Sequence, residues 1–368
     1  MSRKQKHIVI AAFLVTAGAL LFIWGYLMYP NNRGENKAVE TAVSTEVPTP
    51  APTPTENPHE GMVKSSMTGQ WVKPEEEAKR PYAVMINNIE YAFNRQMGTS
   101  KADIIYEALA EGGITRMLAV YQDVSDVKKI GSVRSARHYY VQLAEEWDAI
   151  FCHFGHTKYA VKKMNQLKTE NLSGLSGIGP VVYARDTSIA APHNVFTTGA
   201  KLKKGAKKLG YSRKKEESQT AEHFTFNDSF TVPSKGKKAK NITLPFSYYS
   251  TCQLKYDTKN KVYKKYEYNK KHMDACYKKQ LSFKNVIVQF VQESNIDRNG
   301  YQTMELTDNS GKGYYITGGK KIDITWEKNE KKKTMVYKNA DGQTLSINPG
   351  KTYIAVYPKN RKKLIKIK

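Results

Sequence analysis

Cysteine is nearly absent from this chain: Cys152, Cys252 and Cys276 are the only three in 368 residues. Thiols so few and so far apart exclude a disulfide scaffold. Cys152 lies in an apolar run and reads as an inert buried thiol, whereas Cys252 and Cys276 would bond only if their segments pair. Also missing are a Gly-rich phosphate loop with its lysine, a nucleotide-binding glycine fingerprint, a Gly-x-Ser-x-Gly elbow and a His-Glu-x-x-His helix. The common hydrolase and nucleotide chemistries therefore leave no signature, and no cofactor is expected. His153 and His156 flank Gly155, but no closed ligand set at the customary zinc spacings accompanies them, so no metal is expected either. Acidic residues are scarce as well: 34 Asp and Glu stand against 59 Lys and Arg, a formal net charge of +25. So basic a surface suits nucleic acid, acidic lipid headgroups or surroundings rich in polyanions.

What the chain does have begins with one long apolar run. Arg3, Lys4, Lys6 and His7 precede an uncharged stretch, residues 8–29, from Ile8 to Tyr29. At about 1.5 Å per residue it reaches about 30 Å as a helix, enough to cross a bilayer's hydrocarbon core. Cleaved signals carry a shorter apolar core of about 7–15 residues, and no small-x-small cleavage pattern follows this one. The expectation is a signal anchor, with residues 1–7 cytoplasmic, residues 8–29 a single transmembrane helix and the bulk extracytoplasmic. Residues 30–68, with Pro48, Pro50, Pro52, Pro54 and Pro58 among Thr and Glu, cannot bury a core and read as a semi-rigid spacer. For an outward-facing chain, anionic cell-wall polymers are the favoured polyanion, and nucleic acid is the weaker candidate.

The folded part reads as α+β in two domains. Residues 70–205 form an N-terminal α/β domain with a largely parallel sheet. Residues 82–86, 117–121, 130–135 and 149–154 read as strands. Ser100 and Asp103 suggest a capping box opening a helix whose apolar face holds Ile104, Ile105, Ala108 and Leu109, ended by Gly112-Gly113. A second helix covers residues 158–167. Residues 206–240 read as a lysine-rich connection. Residues 241–360 read as a mainly antiparallel β domain, with a buried strand at 285–290, alternation at 301–306, hairpin turns at Gly318-Gly319 and Asp341-Gly342, and a last strand at 353–357.

Several strings occur together. Arg80-Pro-Tyr-Ala-Val-Met-Ile-Asn87, Ala102-Asp-Ile-Ile-Tyr-Glu-Ala108, Glu111-Gly-Gly-Ile-Thr-Arg116, Ile130-Gly-Ser-Val-Arg-Ser-Ala-Arg137 and Ala191-Pro-His-Asn194 lie in the first half. Asn285-Val-Ile-Val288 and Asn348-Pro-Gly350 lie in the second. Taken together they resemble the YerB-like bacterial lipoprotein family, which pairs an N-terminal with a C-terminal domain. The resemblance implies a two-domain envelope protein of Bacillus- or Clostridium-type bacteria and supplies no reaction. Many members carry a lipobox cysteine, while this chain has a long apolar run in its place.

Arg134 and Arg137 stand at the end of a predicted strand, where α/β sheets place ligand crevices. Two guanidiniums there would each take a phosphate or carboxylate bidentately. The competing reading pairs them with Glu145, Glu146 or Asp148. Arg185-Asp186 and Pro192-His193-Asn194 form a second cluster, either a placed polar site or ties between loop backbones. On the predicted helix Glu107 and Glu111 share a face, to balance Arg116, to hold a cation with Asp103 or to meet solvent. His153 completes the first-half candidates. In the second half the resemblance supports a placed pair, His272 and Asp274, which alternation at a strand end explains as well. Three functions compete: a non-catalytic binder of a phosphate- or carboxylate-bearing wall component or envelope protein partner, an enzyme acting on a lipid-linked wall-polymer precursor, and an extracellular nucleic-acid binder using the tyrosines and lysines of residues 256–268. The first accounts for most of these features.

Overall fold

A computed structural model describes residues 58–215 and 223–368. The predicted basic flank, membrane span and most of the spacer lie outside the described residues. Among the described residues no helix is long and apolar enough to cross a membrane. The last residues of the predicted spacer are part of the fold: Val63–Lys64 pairs with Trp71–Val72, and Met67 between them is fully buried.

The first half supplies strands β1 (Tyr82–Asn88), β2 (Ile104–Leu109), β3 (Thr115–Tyr121), β4 (Ile150–His153) and β5 (Asn171–Ser173). Its longer helices are α1 (His138–Glu145), α2 (Lys158–Leu167) and α3 (Gly199–Lys208). The second half supplies β6 (Asn241–Pro245), β7 (Thr251–Asp257), β8 (Val262–Glu267), β9 (Asn285–Val291), β10 (Ser310–Thr317), β11 (Lys320–Asn329), β12 (Thr334–Asn339) and β13 (Thr352–Pro358). One 11-stranded sheet runs through both halves in the order β11-β10-β9-β13-β2-β3-β1-β4-β5, with Lys237–Lys238 and β12 both pairing with β11. The last long strand, β13, is inserted between β9 and β2 and runs parallel to both.

Period-two alternation in these doubly buried strands divides the core into two layers. Ile105 and Leu109 face one layer, where a six-stranded sheet built on β6, β7 and β8 packs with Leu244, Leu254, Tyr263 and Phe283. Ile104, Tyr106 and Ala108 face the other, against Tyr140, Leu143 and Ala144 of α1 and Met164 of α2.

Three expectations change. The segment read as a helix through Ile104 and Leu109 is a central strand; apolar residues on both faces of a buried strand mimic a helical stripe. Glu107 and Glu111 therefore do not share a helix face: Glu107 lies in β2, Glu111 in the following tight turn. The first-half sheet is parallel only in part. β1, β4 and β5 run parallel, but β3 is antiparallel to both β1 and β2. The strands at 82–88, 115–121 and 285–291 and helix α2 stand where expected, and the second half is sheet-rich and chiefly antiparallel. All three cysteines are unpaired, with Cys152 and Cys252 buried.

Candidate functional site

The parallel strands β1 and β4 end side by side, and the segment carrying Arg134 and Arg137 is laced across their ends. Asn87 N donates to Ser132 O at 2.9 Å, Arg134 N to Met85 O at 3.0 Å, Phe154 N to Arg134 O at 3.1 Å and Ala136 N to Gly155 O at 2.9 Å. Both arginines thus project from backbone fixed on two sides. Arg116 joins them because β3 begins opposite the end of β1, with Arg116 in register with Asn87.

Three guanidiniums lie together here, and one of them holds a carboxylate. Arg137 forms a bidentate ion pair with Glu111 through Nε and Nη2, and its Nη1 donates to Ala136 O at 2.8 Å. Arg116 is 4% exposed, and its Nη1 donates to Ser135 O at 2.9 Å. Arg134 Nη1 donates to Pro192 O at 3.0 Å. The Nε atoms of Arg116 and Arg134 are buried without a hydrogen-bond partner, and neither arginine forms an ion pair among the described residues. Burial, then the neighbouring charges of Arg137 and Arg134, bring Arg116 down to about 10. Burial and Arg137 likewise lower Arg134. Burial alone would raise Glu111, but the hydrogen bonds and charge of Arg137, with Arg116 beyond, hold it below its usual range. The other acids once paired with these arginines in the sequence reading are engaged elsewhere: Glu145 with Lys333 at 2.6 Å, Glu146 with Lys328 at 2.6 Å and Asp148 with Arg80 at 3.0 Å.

The second predicted cluster abuts this rim. Asn87 Nδ2 donates to His193 Nδ1 at 2.9 Å, and the His193 ring lies 5.1 Å from that of Tyr91. Burial and the charge of Arg134 lower the His193 pKa, which favours the neutral ring that accepts from Asn87. Asn194 is turned away: its Oδ1 accepts from Arg185 Nη1 at 2.7 Å, and Arg185 lies over the Phe154 ring. Asp186 holds Lys129 at 3.3 Å. His153 is fully buried between Gly155 O, 2.8 Å from Nδ1, and Asn171 Oδ1, 3.2 Å from Nε2; burial takes it down to about 4. It ties the end of β4 together and offers nothing to solvent.

Behind the rim lies a layer of which Glu107 and His272 are sequence candidates and Lys265 and Glu267 are not. Glu107, Lys265, Glu267 and His272 are all fully buried between the two sheets. Lys265 Nζ reaches Glu267 at 2.6 Å, Glu107 at 3.1 Å and His272 Nδ1 at 3.1 Å. Asn88, Thr115, Ser250 and Tyr353 donate to the two carboxylates, and Gln96 meets His272 Nε2. Asn88 and Thr115 are the chain neighbours of Asn87 and Arg116, and alternation sends them to the opposite face. Asp274 is equally buried and accepts from Ser100, Cys276 and Tyr277, fastening the second half to the first. The readable signal was in β8, where alternation puts Tyr263, Lys265 and Glu267 together on its buried face. Among the described residues no three His, Cys, Asp or Glu side chains gather as a metal site.

One sheet shared by two halves, with an arginine rim at the open strand ends and a locked ionic layer beneath, defines a two-part sheet protein whose exposed chemistry is cationic. Residues 67–212 match the family described as Protein of unknown function (DUF3048) N-terminal domain, and residues 242–354 match its C-terminal domain. The chain belongs to this YerB-like family. It is 32% identical over 300 residues to the Bacillus subtilis (strain 168) protein named "Putative lipoprotein YerB", covering 80% of this chain and 86% of the relative. The crystal structure of YerB protein from Bacillus subtilis superposes with a TM-score of 0.72 at 29% identity, covering 83% of this chain and 99% of that one.

Proposed function

We propose that this is a membrane-anchored extracytoplasmic envelope protein that binds a phosphate- or carboxylate-bearing wall component or partner at the rim of Arg116, Arg134 and Arg137, without catalysing its conversion. One observation carries the reading: buried guanidinium nitrogens of Arg116 and Arg134 lack partners beside an ion pair that neutralises only Arg137. Leaving buried donors unmade costs about 1–3 kcal/mol each, which an incoming oxyanion would recover. The apolar run at residues 8–29 and the lipoprotein name of the relative support the envelope location. Of the two carboxylates that a lipid-linked-precursor enzyme could use for a metal, Glu107 is sealed against Lys265 and Asp103 accepts from Gln122 N, which favours binding over turnover.

Calorimetric titration of the full chain in detergent with inorganic pyrophosphate tests the rim. Saturable binding is expected, weakened at least tenfold in Arg134→Gln and also in Arg134→Lys, since lysine lacks the two-pronged geometry. Equal affinity in wild type and Arg134→Gln defeats the reading.

A further inference from the structure

We infer a second anion site, separate from the arginine rim: a trough along β9, β10 and β11 that takes an extended polyol-phosphodiester polymer. Two adjoining depressions of about 450 and 430 Å³ share Lys312 and Lys362. Each alone lies in the range of small-ligand pockets, roughly 300–1,000 Å³, so the pair suits a chain of repeating units better than one compact molecule. The first is walled by Lys312, Lys359 and Lys362 around Phe290 and Trp326; the second continues past Tyr314 and Asp323.

Charge and shape select the ligand class. Lys312, Lys359 and Lys362 are exposed and form no ion pair among the described residues, while Asp323 is engaged by Lys321 at 2.9 Å. Lys362 is held over two rings, 5.0 Å from the Phe290 centroid and 5.7 Å from that of Tyr314. It comes from the basic turn Lys359–Leu364, which Arg361 anchors through Phe246 O. The aromatic floor is not a stacking platform. Phe290 is 4% and Trp326 2% exposed, and Lys321 covers Tyr314 at 3.8 Å. Gly311 has no side chain because a Cβ there would sit 2.7 Å from the Trp326 indole nitrogen, so that indole closes under the floor. A single-stranded nucleic acid needs open ring faces for its bases. A polymer whose units carry a phosphodiester and hydroxyls, and no flat base, needs only the lysine rail.

The experiment measures binding of fluorescent poly(glycerol phosphate) to the full chain in detergent across a salt series. Lys312→Gln with Lys362→Gln is expected to weaken binding at least tenfold at low salt and to flatten the dependence of log affinity on log salt by roughly 0.7 per lost contact, as for flexible polyanions. Lys207→Gln with Lys208→Gln, an equal loss of charge on exposed positions of α3, is expected to change affinity less than twofold. Equal losses in the two pairs would reduce the trough to diffuse attraction and overturn the inference. So would absence of measurable binding, or an oligothymidylate of matched charge binding as tightly as the polyol phosphate. Loss of pyrophosphate binding in Arg134→Gln reads the rim, and loss of polymer binding in the Lys312→Gln, Lys362→Gln pair reads the trough, so the two stand or fall separately.

Discussion

The three rim arginines differ in what holds them, and their substitutions should separate accordingly. Arg137 is bound into Glu111 and two backbone carbonyls, so Arg137→Gln is expected to cost about 2 kcal/mol in a urea melt. Arg134 has a single backbone acceptor, so Arg134→Gln should stay within about 1 kcal/mol of wild type; the reverse order would make Arg134 the structural residue. The buried layer behaves differently because charge there has no solvent. Burial and the charge of Glu267, opposed by Lys265, raise Glu107 from 4.5 to about 7. The folded state then holds that proton more tightly than the unfolded chain, so this group's support for folding is present at low pH and is lost as pH rises toward 7. The stability of wild type relative to Glu107→Gln is therefore expected to fall between pH 5 and pH 7.5. His272 shifts the opposite way, its pKa lowered by burial and Lys265, but it is present in both proteins and drops out of the comparison to first order. A difference that is the same at both pH values would show that Glu107 titrates normally. Lys265→Gln, which strands two carboxylates, should cost about 3–5 kcal/mol at neutral pH.

At the scale of elements, local sequence rules hold until packing overrides them. Helix α3 opens at Thr198, whose hydroxyl accepts from Lys201 N at 3.1 Å, and Thr198→Ala should cost about 1 kcal/mol. Gly199 follows, and general propensity says that alanine inside a helix gains about 1 kcal/mol over glycine. Here a Cβ would fall 1.6 Å from Val124 O, so Gly199→Ala is expected to destabilise in thermal melts; a rise in Tm would mean the Val124 loop yields freely. The same conflict explains what could and could not be read in advance. Helix α2 is legible in the sequence, and the structure adds its cap at Thr157; the hairpin at Gly318-Gly319 is legible from its turn residues. Strand β2 was not, since Ile104, Ile105, Ala108 and Leu109 fit a helical stripe as well as a strand buried on both faces. Helix α1 was passed over: its tyrosines are indifferent helix formers, and nearly every residue of it is buried, which erases the polar face. At the rim, Arg134 and Arg137 were found from their position after a strand, and Arg116 from its proximity to acids. That they converge required the antiparallel register of β3 on β1, a long-range fact that no local spacing encodes. Lys265 and Glu267 fall inside the tyrosine–lysine stretch 256–268 weighed for nucleic-acid binding, because a buried charge is recognisable only once its partner on another strand is known.

The two halves of the described residues are tied together by a late strand. β13 is the last long strand of the chain, yet it fills the slot between β9 of its own half and β2 of the other, seven residue pairs on one side and five on the other. A parallel strand in that slot leaves neither half with a closed sheet of its own, and removing it would expose two unpaired edges in the middle of the core. Its side chains serve both layers: Tyr353 donates to Glu107 at 2.8 Å and packs near Phe283, while Ile354 and Val356 meet the α1 layer. The buried ions, the Asp274 clasp and β13 all cross the same seam, so the boundary between the two matched family regions is not a boundary of stability. Calorimetry of the full chain is therefore expected to show one cooperative transition for residues 58–368, with calorimetric and van't Hoff enthalpies agreeing. Deleting residues 352–368 should abolish that transition, and adding the deleted segment back as a peptide should restore it in part. Two resolved transitions, or a first half that melts unchanged without β13, would mean that the shared sheet is a contact between two self-sufficient domains, and the arginine rim, built wholly from the first half, would then be expected to bind anions on its own.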